Sequence, residues 1–132
     1  MSIEYSYESS SQVLHVNLSE YIYVQDVLNH LNEVIEDNSI NEVKIEIVNF
    51  ENVKDFALAQ DEAVSIRTEF AKFRLDKSLI ASIIIANSPF HQGMAKMMES
   101  IIGHNIQMHI VDTHEQAVEL ASNILDKEAF IN

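Results

Sequence analysis

Ile80-Ala81-Ser82-Ile83-Ile84-Ile85-Ala86-Asn87-Ser88-Pro89-Phe90-His91 is the stretch that decides the fold. Its first seven residues are almost entirely apolar and do not alternate, which marks a strand covered on both faces. Pro89 follows at once, in the position where a fixed φ and a missing N–H suit the first turn of a helix. Phe90, Met94, Met97, Met98 and Ile101 then carry one helical face as far as Gly103, a C-terminal cap. A doubly covered strand leading straight into a helix is half of a strand–helix–strand unit. Such units pair their strands in parallel through right-handed crossovers.

The pattern repeats outward in both directions. Downstream, Met108, Ile110 and Val111 make the next strand, and Thr113-His114-Glu115-Gln116 reads as a capping box. A last helix buries Ala117, Val118, Ala121, Ile124 and Leu125. Upstream, Ala59, Ala63, Ile66, Phe70 and Phe73 advance by four, three, four and three, which keeps them on one helical face. Before that helix, Val43, Ile45, Ile47 and Val48 form a β-branched strand. Val24, Val27, Leu28, Leu31, Val34 and Ile35 make an apolar stripe ended by Asp37-Asn38-Ser39. The chain opens with two alternating runs, Ile3-Tyr5-Tyr7 and Leu14-Val16-Leu18, across Ser9-Ser10-Ser11, a β-hairpin. The predicted architecture is α/β, in the order ββαβαβαβα. It is a mixed five-stranded sheet with the hairpin as its antiparallel edge, the fourth strand central, and four helices. Residues 1–132 are expected to form one domain, since 132 residues with 47% hydrophobic content supply a single core.

Composition excludes several kinds of chemistry. With no Cys there is no disulfide, thiolate metal site or cysteine nucleophile. A formal charge of −13 disfavours nucleic acid over most of the surface. Met1-Ser2-Ile3-Glu4-Tyr5 lacks the pattern of a leader, and no apolar run approaches membrane-spanning length, so a cytoplasmic protein is expected. His104, His109 and His114 are evenly spaced but fall on three different elements, which does not converge their rings, so no metal is expected. Clustered glycines and a basic residue at a helix start are both missing, so no nucleotide cofactor is expected either.

The stretch from Ile83 to Glu99, with Gly93-Met94-Ala95-Lys96-Met97 on its helix, resembles the bacterial SpoIIAA-like proteins. These belong with the STAS domains and are related in fold to the CRAL-TRIO (Sec14) domains. The resemblance spans the whole element order. It implies a non-catalytic binding domain: a carrier or sensor of a non-polar or amphipathic small molecule, with peripheral membrane association. The alternative is a STAS-like protein-interaction module docking a partner around Asp55 to Gln60. Anti-anti-sigma members carry a phosphorylated Ser within Asp-Ser-Ser-Gly-Leu after the third strand. Here the matching stretch is Asp55-Phe56-Ala57-Leu58-Ala59, which keeps the Asp and has no hydroxyl at Phe56 or Ala57.

Ligands of open parallel sheets bind beyond the carboxyl ends of the strands. The connections expected there offer Asn49 and Phe50, then Asn87, Ser88, Phe90 and His91, then Asp112 and His114. Phe70, Phe73, Met94 and Met97 would supply apolar walls, Met being suited to a ligand of imprecise shape. Helix capping is the plainer account of Asn87, Ser88, Asp112 and Thr113. Ser88 and His91 also raise a third reading, an enzyme built on a Ser–His dyad. Arg67, Lys72, Arg74 and Lys77, interleaved with Phe70 and Phe73, form the one basic segment and the expected membrane or partner contact. Cations near a helix C-terminus and phenylalanines in a core stripe are the plainer account of the same residues.

Overall fold

The computed structural model describes residues 2–57, 62–103 and 106–131. The elements are β1 (Ile3–Glu8), β2 (Val13–Tyr23), α1 (Val24–Glu36), β3 (Ile45–Ala57), α2 (Ala63–Lys77), β4 (Ala81–Ile85), α3 (Pro89–Ile102), β5 (Gln107–Val111) and α4 (His114–Ile131). Their order is the one the periodicities predict. The five strands form one mixed sheet in the order β1-β2-β3-β4-β5, with β1 antiparallel at one edge and every later pairing parallel.

Because strand order never reverses, right-handed crossovers put all three connecting helices on the same face. Leu14, Val16, Phe50 and Ile84 point into that layer and pack with Val27, Leu31, Ile66, Phe70 and Met98. The opposite phase of the same strands, Val13, Ile45, Ile47, Ile83 and Ile85, is covered by Ala117 and Ala121 of α4. All five residues of β4 are buried, as its apolar run requires, but β4 lies fourth in the sheet and β3 is central.

The third strand is longer than its β-branched run suggests. Asn49-Phe50-Glu51-Asn52, expected in a connection, belongs to β3, and the approach to α2 through Lys54 and Asp55 is strand as well. Two register shifts against β2, between Asn17 and Ser19 and between Glu20 and Tyr21, explain the difference. Each shift breaks the two-residue alternation, so that Phe50 and Val53 are both buried three positions apart. Glu20 takes a left-handed φ of 63° at the second shift. Beyond Leu18 and Asn49, the last residues paired with β1 and β4, strands β2 and β3 run on together as a two-stranded ribbon.

Two helix starts, those of α3 and α4, follow their sequence signals. Ser88 caps α3 by accepting the His91 N–H at 3.1 Å, with Pro89 in the first turn. Thr113 Oγ1 accepts the Gln116 N–H at 3.1 Å while Gln116 Oε1 accepts the Thr113 N–H at 3.3 Å, a complete capping box.

Candidate functional site

Two places gather the chemistry, and they are separate. One is the polar end of the sheet beyond β3, β4 and β5. Asn87 Nδ2 donates to Glu51 Oε2 at 3.2 Å, and Gln92 Nε2 donates to the Ala86 carbonyl at 3.2 Å and to Asp112 at 3.4 Å. Asn49 accepts the Glu51 N–H at 2.9 Å. These side chains bond to one another and to the Ala86 carbonyl just after β4. A sheet of this kind opens a ligand crevice where its strand order reverses, and these parallel strands have no reversal. Among the described residues this end of the sheet is a polar seam that faces solvent.

Ser88 and His91 do meet within it. Ser88 Oγ lies 2.6 Å from His91 Nδ1, and His91 Nε2 lies 2.8 Å from the Val53 carbonyl. A carbonyl only accepts, so Nε2 carries the proton and Nδ1 accepts from the Ser88 hydroxyl. The order nucleophile, base and orienting group is that of a dyad. The Ser88 oxygen, however, also serves as the helix cap. Pro89 has no N–H, and the amides of His91 and Gln92 are bonded to Ser88 itself, which removes the donors of a two-amide oxyanion hole. The arrangement instead ties α3 to β3 by covering a carbonyl on the ribbon's edge.

The second place is an apolar cavity of about 70 Å³ on the helical side of the sheet. Val27, His30 and Leu31 of α1, Ile66 and Phe70 of α2, and Met98 and Ile102 of α3 form its roof. Val16, Leu18, Glu46, Val48, Phe50, Ser82, Ile84 and Met108 form its floor. Glu46 and Ser82 stand in register on adjacent strands, and the Ser82 hydroxyl donates to Glu46 Oε1 at 2.7 Å. The two residues are 5% and 1% exposed. Burial pushes the Glu46 carboxyl up to about 7, against a smaller opposing effect of the Ser82 bond. Burial alone holds the His30 imidazole down to about 4.

Of the residues expected at a ligand, Phe50 and Phe70 line this cavity. Phe73 and Met94 are buried in the core, while Phe90 and Met97 lie on the surface of α3. His114 sits on the α4 side of the sheet, its ring 6.1 Å from that of His15. Gly93, which opens the stretch carrying the resemblance, has open space where a Cβ would stand, so packing does not demand glycine there. His30, Glu46 and Ser82 carried no mark of their own in the sequence. The available signal was a carboxyl and a hydroxyl, each alone in an apolar strand, that fall opposite each other once the strands are paired.

The basic segment is divided between surface and interior: Arg67 and Lys72 are exposed, Arg74 is half-buried and Lys77 is buried. Lys77 is only 4% exposed and bonds to the Ile40 and Asp37 carbonyls, the first at 2.5 Å, which holds the loop after α1. Arg67 Nε donates to the Ile101 carbonyl at 3.0 Å, at the end of α3, and Lys72 pairs with Glu69 at 3.0 Å. Phe70 and Phe73 meet edge to face inside the core, ring centroids 5.8 Å apart. Asp55, Phe56 and Ala57 end β3, and Phe56 packs against Phe50 with ring centroids 5.3 Å apart. Leu58, Ala59, Gln60 and His104 lie outside the described residues. Among the described residues no group of three His, Asp or Glu side chains is placed to hold a metal ion. No helix among them is long and apolar enough to cross a membrane.

The sequence matches no protein-family model and no curated protein. The fold does match solved structures. The anti-sigma factor antagonist SpoIIAA in its unphosphorylated form aligns over 91% of this chain and 97% of its own, with a TM-score of 0.55 at 14% identity. An uncharacterized protein of the DUF3478 family with a SpoIIAA-like fold, from Shewanella loihica PV-4, aligns over 90% and 93%, with a TM-score of 0.58 at 11% identity. The Bacillus cell fate determinant SpoIIAA in its phosphorylated form aligns over 89% and 96%, with a TM-score of 0.50 at 15% identity. The chain thus has a SpoIIAA-like fold. The lipid binding and CRAL-TRIO kinship implied by the resemblance gain no support from these neighbours.

Proposed function

We propose that residues 1–132 act as one non-catalytic, STAS-like interaction module that docks a protein partner on the β2–β3 ribbon. The observation that carries this reading is the ribbon itself. It runs beyond the neighbouring strands and holds Tyr21 and Tyr23 at 52% and 55% exposure on its outer face. Exposed tyrosines offer large, stiff contact area with a polar tip, which suits a protein interface. The ribbon ends at Asp55-Phe56-Ala57, the stretch matching the phosphorylated site of the anti-anti-sigma proteins, and one solved neighbour is an anti-sigma factor antagonist. Without a hydroxyl at Phe56 or Ala57, docking here is not switched by phosphorylation at those positions. The −13 charge favours a partner with a basic face.

Affinity capture from the native host, followed by a binding measurement with the purified captured protein, tests the reading. Tyr21→Ser with Tyr23→Ser should weaken that binding at least tenfold while thermal unfolding stays unchanged. Equal binding by the double variant would refute it.

The cavity favours a second reading, in which a small molecule held among α1, α2 and α3 is sensed by the module. A long-chain lipid does not suit it: about 70 Å³ is half of a cavity that admits benzene. The dyad reading is set aside on the geometry of Ser88.

A further inference from the structure

Glu46 is an acid placed where the fold gains little from it. It sits in the central strand, facing an apolar cavity, and its partner among the described residues is the Ser82 hydroxyl. A carboxylate accepts through two oxygens with about four lone-pair sites, and one hydroxyl proton occupies one of them. No Lys or Arg is among the described residues that line the cavity. Around the carboxyl, α1 contributes His30 as the one titratable group, α2 contributes Ile66 and Phe70, and α3 contributes Met98 and Ile102. The strands add Ser82 and apolar side chains. A buried carboxyl with one hydrogen bond and no countercharge is costly to retain, and a ligand that brings the countercharge removes that cost.

We propose that this cavity is a binding site for a small apolar amine, whose ammonium group seats on Glu46 and Ser82 and whose hydrocarbon end packs against Phe70 and Met98. The proposal rests on the second reading above, that a small molecule occupies the cavity, and adds the chemistry of its head group. An ammonium has three donors and a charge, so it fills the acceptor sites that Ser82 leaves and pairs the acid in a low-dielectric surrounding. An alcohol offers one donor and no charge; a carboxylate is repelled. Scaling from the benzene-sized cavity gives room for about three heavy atoms, and the cavity is half open, so the end of a four-carbon chain reaches its mouth.

The proposal carries its own pH signature. The ammonium pairs with the ionised carboxylate, and the Glu46 carboxyl titrates at about 7. Affinity should therefore rise about tenfold between pH 6 and pH 8, while the amine itself stays protonated, and level off above that. His30, held down to about 4, stays neutral throughout and does not compete.

The test titrates the full chain with n-butylamine, n-butanol and butyrate, following the methyl resonances of Met98 and Met108. Butylamine should bind at least tenfold more tightly than butanol at pH 8, and butyrate should leave the resonances unmoved. Glu46→Gln should remove both the amine preference and the pH dependence; Ser82→Ala should weaken the amine several-fold. If Glu46→Gln does not fold, the wild-type pH series and Ser82→Ala decide. Butanol binding as well as or better than butylamine, or an amine affinity that is flat in pH, overturns the head-group proposal and leaves the cavity reading standing. Unmoved resonances with all three probes overturn both.

Discussion

Replacing Glu46 by Gln should stabilise the protein, and by an amount that depends on pH. The carboxyl titrates at about 7 in the folded protein against an ordinary value of 4.5, because burial penalises its charged form. A pKa raised on folding gives stability that is fully present below the unfolded value and is lost as pH rises through the folded one. The shift of about 2.5 units, at about 1.36 kcal/mol each, is worth roughly 3 kcal/mol, lost between pH 4.5 and about pH 8. Gln keeps an oxygen for the Ser82 hydroxyl and does not ionise. His30 acts in the opposite direction: with its folded pKa depressed, its contribution is full above 6.5 and lost as pH falls through about 4. Both proteins contain His30, so their difference isolates Glu46. Urea unfolding from pH 4.5 to pH 8.5 should show near-equal stabilities at the acid end and an advantage of roughly 3 kcal/mol for Glu46→Gln at pH 8. Thermal midpoints should separate by on the order of 10 °C. Parallel stability curves for the two proteins across this range would refute the reasoning.

Other substitutions separate buried from surface roles. Phe73→Ala, at a fully buried ring, should cost about 3–5 kcal/mol in urea unfolding, whereas Phe90→Ala should stay within about 0.5 kcal/mol. Lys77→Ala should cost about 1–3 kcal/mol by orphaning the Ile40 and Asp37 carbonyls, and Lys72→Glu less than about 1 kcal/mol. Because Lys77 is buried, Lys72 is paired with Glu69, and the net charge is −13, wild type and Lys72→Glu/Arg74→Glu should both fail to sediment with anionic vesicles at physiological salt. Ser88→Ala should cost about 1 kcal/mol as a lost helix cap and change no esterase background.

The fold was legible wherever a period persisted. The run from Ile80 to Ala86, the stripe of α1 and the Thr113 box each fix an element from local residues, and the structure has those elements. Legibility failed at β3, because the register shifts at Ser19 and Tyr21 erase the alternation that betrays a strand. That failure moved Asn49 and Phe50 into an imagined connection and hid the ribbon. The site failed for a different reason. Glu46 and Ser82 are 36 residues apart, and each looks like an ordinary interruption of its own strand. What makes them a pair is strand register, a property of the assembled sheet. Lys77 misled in the same way, since its charge reads as surface until the loop it clasps is in view.

Every strand pairs with the strand next to it in sequence, while α4, which covers the second face among the described residues, follows all five. During synthesis this ordering divides the sheet into an early side and a late side. The helices α1, α2 and α3 emerge between the strands they cover, so the first face closes as it is made. Ile45, Ile47, Ile83 and Ile85 must wait for α4, and until then the sheet exposes a band of isoleucine on β-strands, the surface most prone to stick to its like. A ribosome stalled before His114 would thus release a chain with native pairing and a bare side. How long that band stays bare depends on how quickly that helix is delivered, a demand of timing that equilibrium stability does not record.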